Sequence, residues 1–309
     1  MSHVQSDLKA PLTPASSLSG KSLKRPSLTL QGHRALVTGA SSGIGEAFAR
    51  ELASRGSDLV ITARRESRLQ TLAQQLRQQY GVQVDCVVCD LAQPDSAQRL
   101  YQQATAGGKS VQILMNNAGV GPYGEFLSGG WEGHAATLQL NATSLSELCY
   151  RFSSHMISQA RPCYLVNIAS IAAFQGSPNF AVYAGTKAFN RIFSEILAFE
   201  LKSTQVSVTC VCPGGTYTEF LEKNGQVLKE AGHSAMMTAE EVARIGIEGM
   251  LRRKTVVVPG LLNQVACFLP RLLPRAFALK LAQVAMNRSV SKQSGSAPAT
   301  DSSSISADG

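Results

Sequence analysis

Between residues 34 and 258, short apolar runs alternate with segments of helical period, and no other feature limits the fold as strongly. The runs cover residues 35–37, 58–63, 83–89, 111–115, 164–169, 206–211 and 255–258. They are close to continuously apolar, the pattern of strands buried on both faces of a parallel sheet. Between the first two runs, Ile44, Ala47, Phe48 and Leu52 recur on one helical face, and Gly56 stands where a helix ends. Leu69, Leu72 and Leu76 repeat the pattern up to Gly81. A third helix is expected to begin near Pro94, a long one to run from about 131 to 156, and another to run to about 202. Thr238-Ala-Glu-Glu241 has the form of a capping box and opens a helix to about 252. Strands alternating with helices imply an α/β domain, a parallel sheet with helices on both faces, whose ligands bind beyond the carboxyl ends of the strands.

The residues at those ends carry the chemistry. After the first strand comes Thr38-Gly39-Ala40-Ser41-Ser42-Gly43-Ile44-Gly45. A strand, a glycine-rich turn and a helix start form an anion site, because free N–H groups and the helix dipole face the ligand. Its spacing is G-x-x-x-G-x-G, so the generic dinucleotide fingerprint is not met literally. The second strand ends in Arg64-Arg65, where a carboxylate would bind the ribose of NAD. Guanidinium groups there suit an adenosine 2′-phosphate, hence NADP(H) in preference to NAD(H); the alternative is two solvated charges. Asp90-Leu91, Asn117, Gly119 and Ser170 fall at further strand ends, and Pro213-Gly214, Thr216 and Thr218 form a second polar lip. Tyr183 and Lys187 lie four apart and share a helix face. A phenol titrates near pH 10, and a cation held close lowers that value toward the range of general acid–base catalysis. Asn141 stands mid-helix, where its propensity is poor; a solvated side chain or a bond to a carbonyl would also explain it.

Charge and cysteine usage narrow the function classes. The net charge of +8 is not gathered into runs, and aromatics make up 6%, which argues against nucleic acid and for an anionic cofactor or an anionic membrane surface. The seven cysteines are odd in number, and Cys86-x-x-Cys89 has no second pair at ligand spacing, so no metal is expected and a reducing compartment is. No signal-peptide pattern opens the chain and no apolar stretch of spanning length appears, so a cytoplasmic location, with or without membrane association, is expected. Residues 1–31 read as a disordered arm; a transit peptide is the alternative, weakened by a single Arg25. Residues 32–260 form the domain, and the stretch from 219 to 238 reads as a mobile lid. Residues 261–288 mix Leu, Phe and Val with Arg271, Arg275, Lys280 and Arg288 and break at Pro270 and Pro274. Such basic amphipathic helices dock on their own domain, on a partner subunit or on a membrane. Residues 289–309 are Ser-rich and read as a disordered tail.

The ordered set of Thr38 to Gly45, Asp90, Asn116-Asn-Ala-Gly119, Asn141, Ser170, Tyr183-x-x-x-Lys187 and Pro213-Gly214 resembles the classical short-chain dehydrogenases/reductases over about residues 32–260. The resemblance implies a single Rossmann-type, doubly wound domain, a seven-stranded sheet of order 3-2-1-4-5-6-7, a nicotinamide cofactor, and dimers or tetramers. It implies that Gly39, Gly43, Ile44 and Gly45, with Ser41 and Ser42 in the same turn, cradle the pyrophosphate. Asp90 and Leu91 would contact adenine, with Asn117 and Gly119 supporting the adenosine side. Tyr183 would exchange the proton of the substrate oxygen, Ser170 polarise the carbonyl, Lys187 bond the nicotinamide ribose and depress the phenol, and Asn141 hold a relay water. Thr218 would contact the carboxamide, with Thr216 nearby.

The implied reaction interconverts a carbonyl and a secondary alcohol. The surrounding segments, with Tyr123, Phe174 and Tyr217, favour a hydrophobic small-molecule substrate. Two rivals stand beside it: a membrane-surface reductase of lipid-like ketones, which the segment beginning Pro259-Gly-Leu-Leu-Asn263 also resembles, and a nucleotide-binding scaffold without turnover.

Overall fold

In the computed structural model, which describes residues 29–128 and 130–292, the apolar runs become β1 (Arg34–Thr38), β2 (Asp58–Ala63), β3 (Val84–Val88), β4 (Ile113–Asn116), β5 (Cys163–Ile168) and β6 (Val206–Val211). A three-residue strand, β7 (Gln226–Leu228), follows outside the main sheet, and β8 (Val256–Val257) returns to it. The seven sheet strands pair in parallel in the order β3-β2-β1-β4-β5-β6-β8. This is the expected doubly wound order; the last label differs because β7 intervenes in the chain.

Alternate residues of each strand face opposite layers. Ala35 and Val37 pack with α1 (Gly43–Ser54), α2 (Glu66–Tyr80) and α8 (Ala239–Leu251). Leu36, Val60 and Leu114 pack with α3 (Ser96–Ala104) and α5 (Leu145–Ile157). Leu36 sits in register with both Val60 and Leu114, so the central strands present one level row to each layer. Helices α1 and α8 meet closely at Gly246, where an added Cβ would lie 2.9 Å from the Phe48 ring.

Several boundaries differ from expectation. The third helix starts at Ser96, because Asp95 adopts φ 57° and breaks the turn between Pro94 and the helix. The long helix divides into α4 (Trp131–Leu138), a wider π-helical turn at Gln139–Ser144, and α5. The ordered body includes Leu30, which is buried and bonded to the Arg55 carbonyl, so the arm's boundary at 31 is too late. The rest of that arm, residues 1–28, lies outside the described residues. At the other end, α9 (Leu261–Phe268), a 3₁₀ turn at Leu269–Leu272 and α10 (Arg275–Ser289) lead into β9 (Val290–Lys292), which pairs antiparallel with β7. Residues 289–292 are therefore structured; the remainder of the expected tail lies outside the described residues.

Candidate active site

The expected site residues follow the carboxyl ends of β1 to β6, joined by Asn141 on the π-helical turn and by α6 (Ala181–Glu200). At β1 the glycine-rich turn is held from below. Thr38 Oγ1 accepts the N–H groups of Asn117 and Ala118, while Asn117 Nδ2 donates to the carbonyls of Thr38 and Gly39. A Cβ at Gly45 would collide with the Gly39 carbonyl and Asn117 Nδ2. Gly43 adopts φ 59°, and a Cβ there would lie 2.9 Å from Thr218 Cγ2, which places the Thr218 lip over the turn. Ser42, the residue before α1, makes no side-chain cap bond. A helix start cleared of side chains and lined by Ser41 and Ser42 fits a pyrophosphate.

The two arginines at the end of β2 part ways. Arg64 is exposed. Arg65 folds over the turn and donates to Ser41 Oγ at 2.9 Å and Ser42 Oγ at 2.8 Å. Its other amino group reaches Glu219 at 3.1 Å, and Arg68 and Lys223 bond the same carboxylate. Bonds from Arg68 and Lys223, with Arg65 behind them, hold the Glu219 carboxyl down at about 2.

Asp90 Oδ1 accepts the Ala92 N–H, and the Leu91 carbonyl accepts from Ser144 in the π-helical turn. That same turn aims Asn141 inward. Its Oδ1 accepts the Val120 N–H at 3.0 Å, and its Nδ2 donates to the Val120 carbonyl at 2.8 Å and to Thr186 at 3.1 Å. Asn141 is thus neither solvated nor bonded back to its own helix. Gly119 separates it from Lys187: a Cβ there would lie 3.1 Å from Asn141 Oδ1 and 3.4 Å from Lys187 Nζ. Ser170 Oγ accepts the Ala172 N–H at 3.1 Å. Pro213 accepts the Ile171 N–H, Thr216 donates to the Gly214 carbonyl, and Thr218 accepts the Phe220 N–H, so the second lip is internally bonded.

Tyr183 and Lys187 lie together on α6, with the ammonium 5.7 Å from the ring centre. The expected depression of the phenol is not what this arrangement produces. Burial pushes Tyr183 up to about 12, with Ser170 as hydrogen-bond partner opposing the rise. Rings of Phe180 and Phe220 cover it at 5.2 and 5.9 Å between centres. Lys187 donates to the Ile168 carbonyl at 2.8 Å, and burial brings the ammonium down to about 8. Desolvation therefore governs both groups.

Residues outside the expected set complete the site. Phe220 opens α7 (Phe220–Lys223) and covers Tyr183, and Asn224 donates its Nδ2 to the Phe220 carbonyl at 2.6 Å while its Oδ1 accepts the Gly121 N–H at 2.8 Å. Asn263, buried on α9, donates to the Pro259 carbonyl at 2.8 Å and presses against Gly214. Its signal was present in Pro259-Gly-Leu-Leu-Asn263, although nothing in that string says which loop the amide meets. Cys86 and Cys89 donate to separate carbonyls, those of Leu69 and Ser96, and do not form a joint thiol site.

Comparison with known proteins agrees with this geometry. The family described as short chain dehydrogenase matches residues 33–228. Nodulation protein G of Rhizobium sp. (strain N33) is 34% identical over 209 residues, covering 68% of this chain and 83% of that protein. The 7beta-hydroxysteroid dehydrogenase of Collinsella aerofaciens is 28% identical over 228 residues, covering 73% and 86%. Among solved structures, a short-chain dehydrogenase from Sphingobium yanoikuyae in complex with NADPH superposes with a TM-score of 0.69 at 32% identity, covering 74% of this chain and 88% of that one. Sheet order, glycine-rich turn and sequence match converge on one assignment: the chain belongs to the short-chain dehydrogenase family of oxidoreductases.

Proposed function

We propose that the protein is an NADP(H)-dependent oxidoreductase that interconverts a carbonyl and a secondary alcohol on a mostly hydrophobic substrate. The observation that carries the reading is the meeting of Ser170, Tyr183, Lys187 and Asn141 beside a glycine-rich turn bridged by Arg65. A bound nicotinamide dinucleotide supplies or accepts the hydride. Gly39, Gly43, Ile44 and Gly45 leave room for its pyrophosphate, and Arg65, Ser41 and Ser42 offer donors to a 2′-phosphate. Asp90, Leu91, Asn117 and Gly119 hold the adenosine side, and Pro213, Gly214, Thr216 and Thr218 the nicotinamide side. The NADPH complex of the Sphingobium relative supports the phosphate-bearing cofactor.

Tyr183 holds its proton at neutral pH, since its pKa lies at about 12, and so stands ready to give it to a carbonyl oxygen. Ser170 donates to the same oxygen. Lys187, at about 8, is close enough to neutrality to pass a proton on, and Asn141 lies across Gly119 from it as the next polar group. Phe180, Phe220 and Tyr123 give the surroundings an apolar character that favours a hydrophobic substrate and limits water.

Steady-state kinetics with NADPH and NADH tests both halves. Wild type should prefer NADPH, and Arg65→Ala should lose more of that preference than Arg64→Ala. Tyr183→Phe should lower turnover by about 10² to 10⁴, the range of a general acid, while NADPH still binds. Equal use of the two cofactors by wild type removes the phosphate assignment. Tight NADPH binding without turnover on any aldehyde, ketone or alcohol removes the catalytic one.

A further inference from the structure

The segment that follows the sheet combines exposed apolar side chains with exposed cations. On α9, Leu261, Leu262, Val265 and Phe268 are 75, 71, 55 and 58% exposed, and the stripe continues to Leu272 at 67%. On α10, Phe277 is also exposed. No helix among the described residues is long and apolar enough to cross a membrane. The charge pattern is equally one-sided. From Gly249 to Thr300 the sequence holds eight Lys and Arg residues and not one Asp or Glu. Arg271, Arg275, Lys280 and Arg288 are exposed, and none makes an ion pair among the described residues.

We propose that this face, from Leu261 to Ser289, docks on an anionic lipid surface. An apolar stripe enters the headgroup boundary while the cations meet lipid phosphates, the combination by which amphipathic helices lie in an interface. A soluble protein partner would need an acidic surface to match, and a second copy of this segment would bring cations against cations. Charge complementarity therefore favours the anionic bilayer.

The docked face is tied to the site. The chain passes from α10 directly into β9, which pairs with β7 in the stretch that follows Thr218. Lys229 donates its backbone N–H to the Ser289 carbonyl at 2.9 Å and its ammonium to the Asn287 carbonyl at 2.6 Å. A surface hollow lined by Tyr123, Asn179, Lys229 and Asn287 lies at this junction. Docking thus brings this hollow, with Tyr123 and Asn179 in its wall, close to the bilayer. If the oxidoreductase reading holds, its substrate is drawn from the lipid phase, and this clause rests on that reading; the docking itself does not.

Vesicle co-sedimentation of the full chain tests docking without any assay of turnover. Vesicles of phosphatidylcholine mixed with phosphatidylglycerol should pellet the wild type, vesicles of phosphatidylcholine alone should not, and added salt should release it. The triple change Arg271→Gln, Arg275→Gln, Lys280→Gln should weaken partitioning about a hundredfold. Phe268→Glu with Leu272→Glu should abolish it. Circular dichroism checks that each variant is folded. Wild type remaining in the supernatant with anionic vesicles overturns the proposal. So does a loss of oligomeric mass in the Phe268→Glu, Leu272→Glu variant without any wild-type sedimentation, which would assign the face to a second copy.

Discussion

The residue with the most consequence outside the catalytic set is Glu219. It lies 154 positions from Arg65 in sequence, yet its carboxylate gathers Arg65, Arg68 and Lys223 and ties the stretch after Thr218 to the second strand and helix. Its carboxyl is held down at about 2 by those partners, against an ordinary value of 4.5. A depressed carboxylate contributes stability that is present in full above the ordinary value and is lost as pH falls toward the depressed one. Amide protection factors across residues 217–228, taken against intrinsic exchange at each pH, should therefore fall in wild type as pH drops from about 4.5 to 2. In Glu219→Gln protection should already be low at neutral pH and change little on acidification. Equal protection in the two proteins at pH 7 would show that the ion pairs do not hold the segment. Tyr183 has the opposite character: the cation expected to lower its pKa turns to a backbone carbonyl, and burial governs it instead. Sequence spacing identified the pair; it could not say which way the ammonium points.

At the level of elements, the π-helical turn at Gln139–Ser144 explains how a residue of poor helical propensity serves in mid-helix. The wider turn directs Asn141 into Val120 and Thr186 and Ser144 into Leu91, so both side chains leave the helix toward the site. A 3.6-residue period assumed throughout would place them elsewhere. Helix α6 has two faces with different tasks. Tyr183 and Lys187 point to the sheet edge, whereas Phe189, Ile192, Ile196 and Phe199 are exposed at helical spacing. Such a stripe suits pairing with another copy, as the family resemblance implies. Ile196→Glu should lower the mass measured by light scattering to that of a smaller assembly, with sheet content by circular dichroism unchanged. Unaltered mass would place any interface elsewhere.

For the whole molecule, the sheet was legible because continuous apolar runs buried on both faces leave few alternatives. The seven strands and their order follow from that pattern and the resemblance together. The pairing of β7 with β9 was not legible: each has three residues, without alternation, and they meet across more than 60 intervening positions. The same holds for Asn263 under Gly214, a contact that depends on how the chain returns after β8. Cofactor binding should report on this assembled unit. At a hundred times its Kd a ligand stabilises by about 2.7 kcal/mol. For a body of roughly 200 residues this raises Tm by roughly 5–10 °C. NADPH should produce such a shift and NADH, at the same concentration, a smaller one; equal shifts would count against recognition of the phosphate.

The small ribbon formed by β7 and β9 fastens the stretch after Thr218 to the far end of the described chain through three residue pairs. In an enzyme whose pace is set by movement of a segment over its site, the firmness of that segment's attachment sets throughput. If the stretch after Thr218 moves in turnover, exchanging Val290, Ser291 or Lys292 would alter the rate and leave the reacting groups in place.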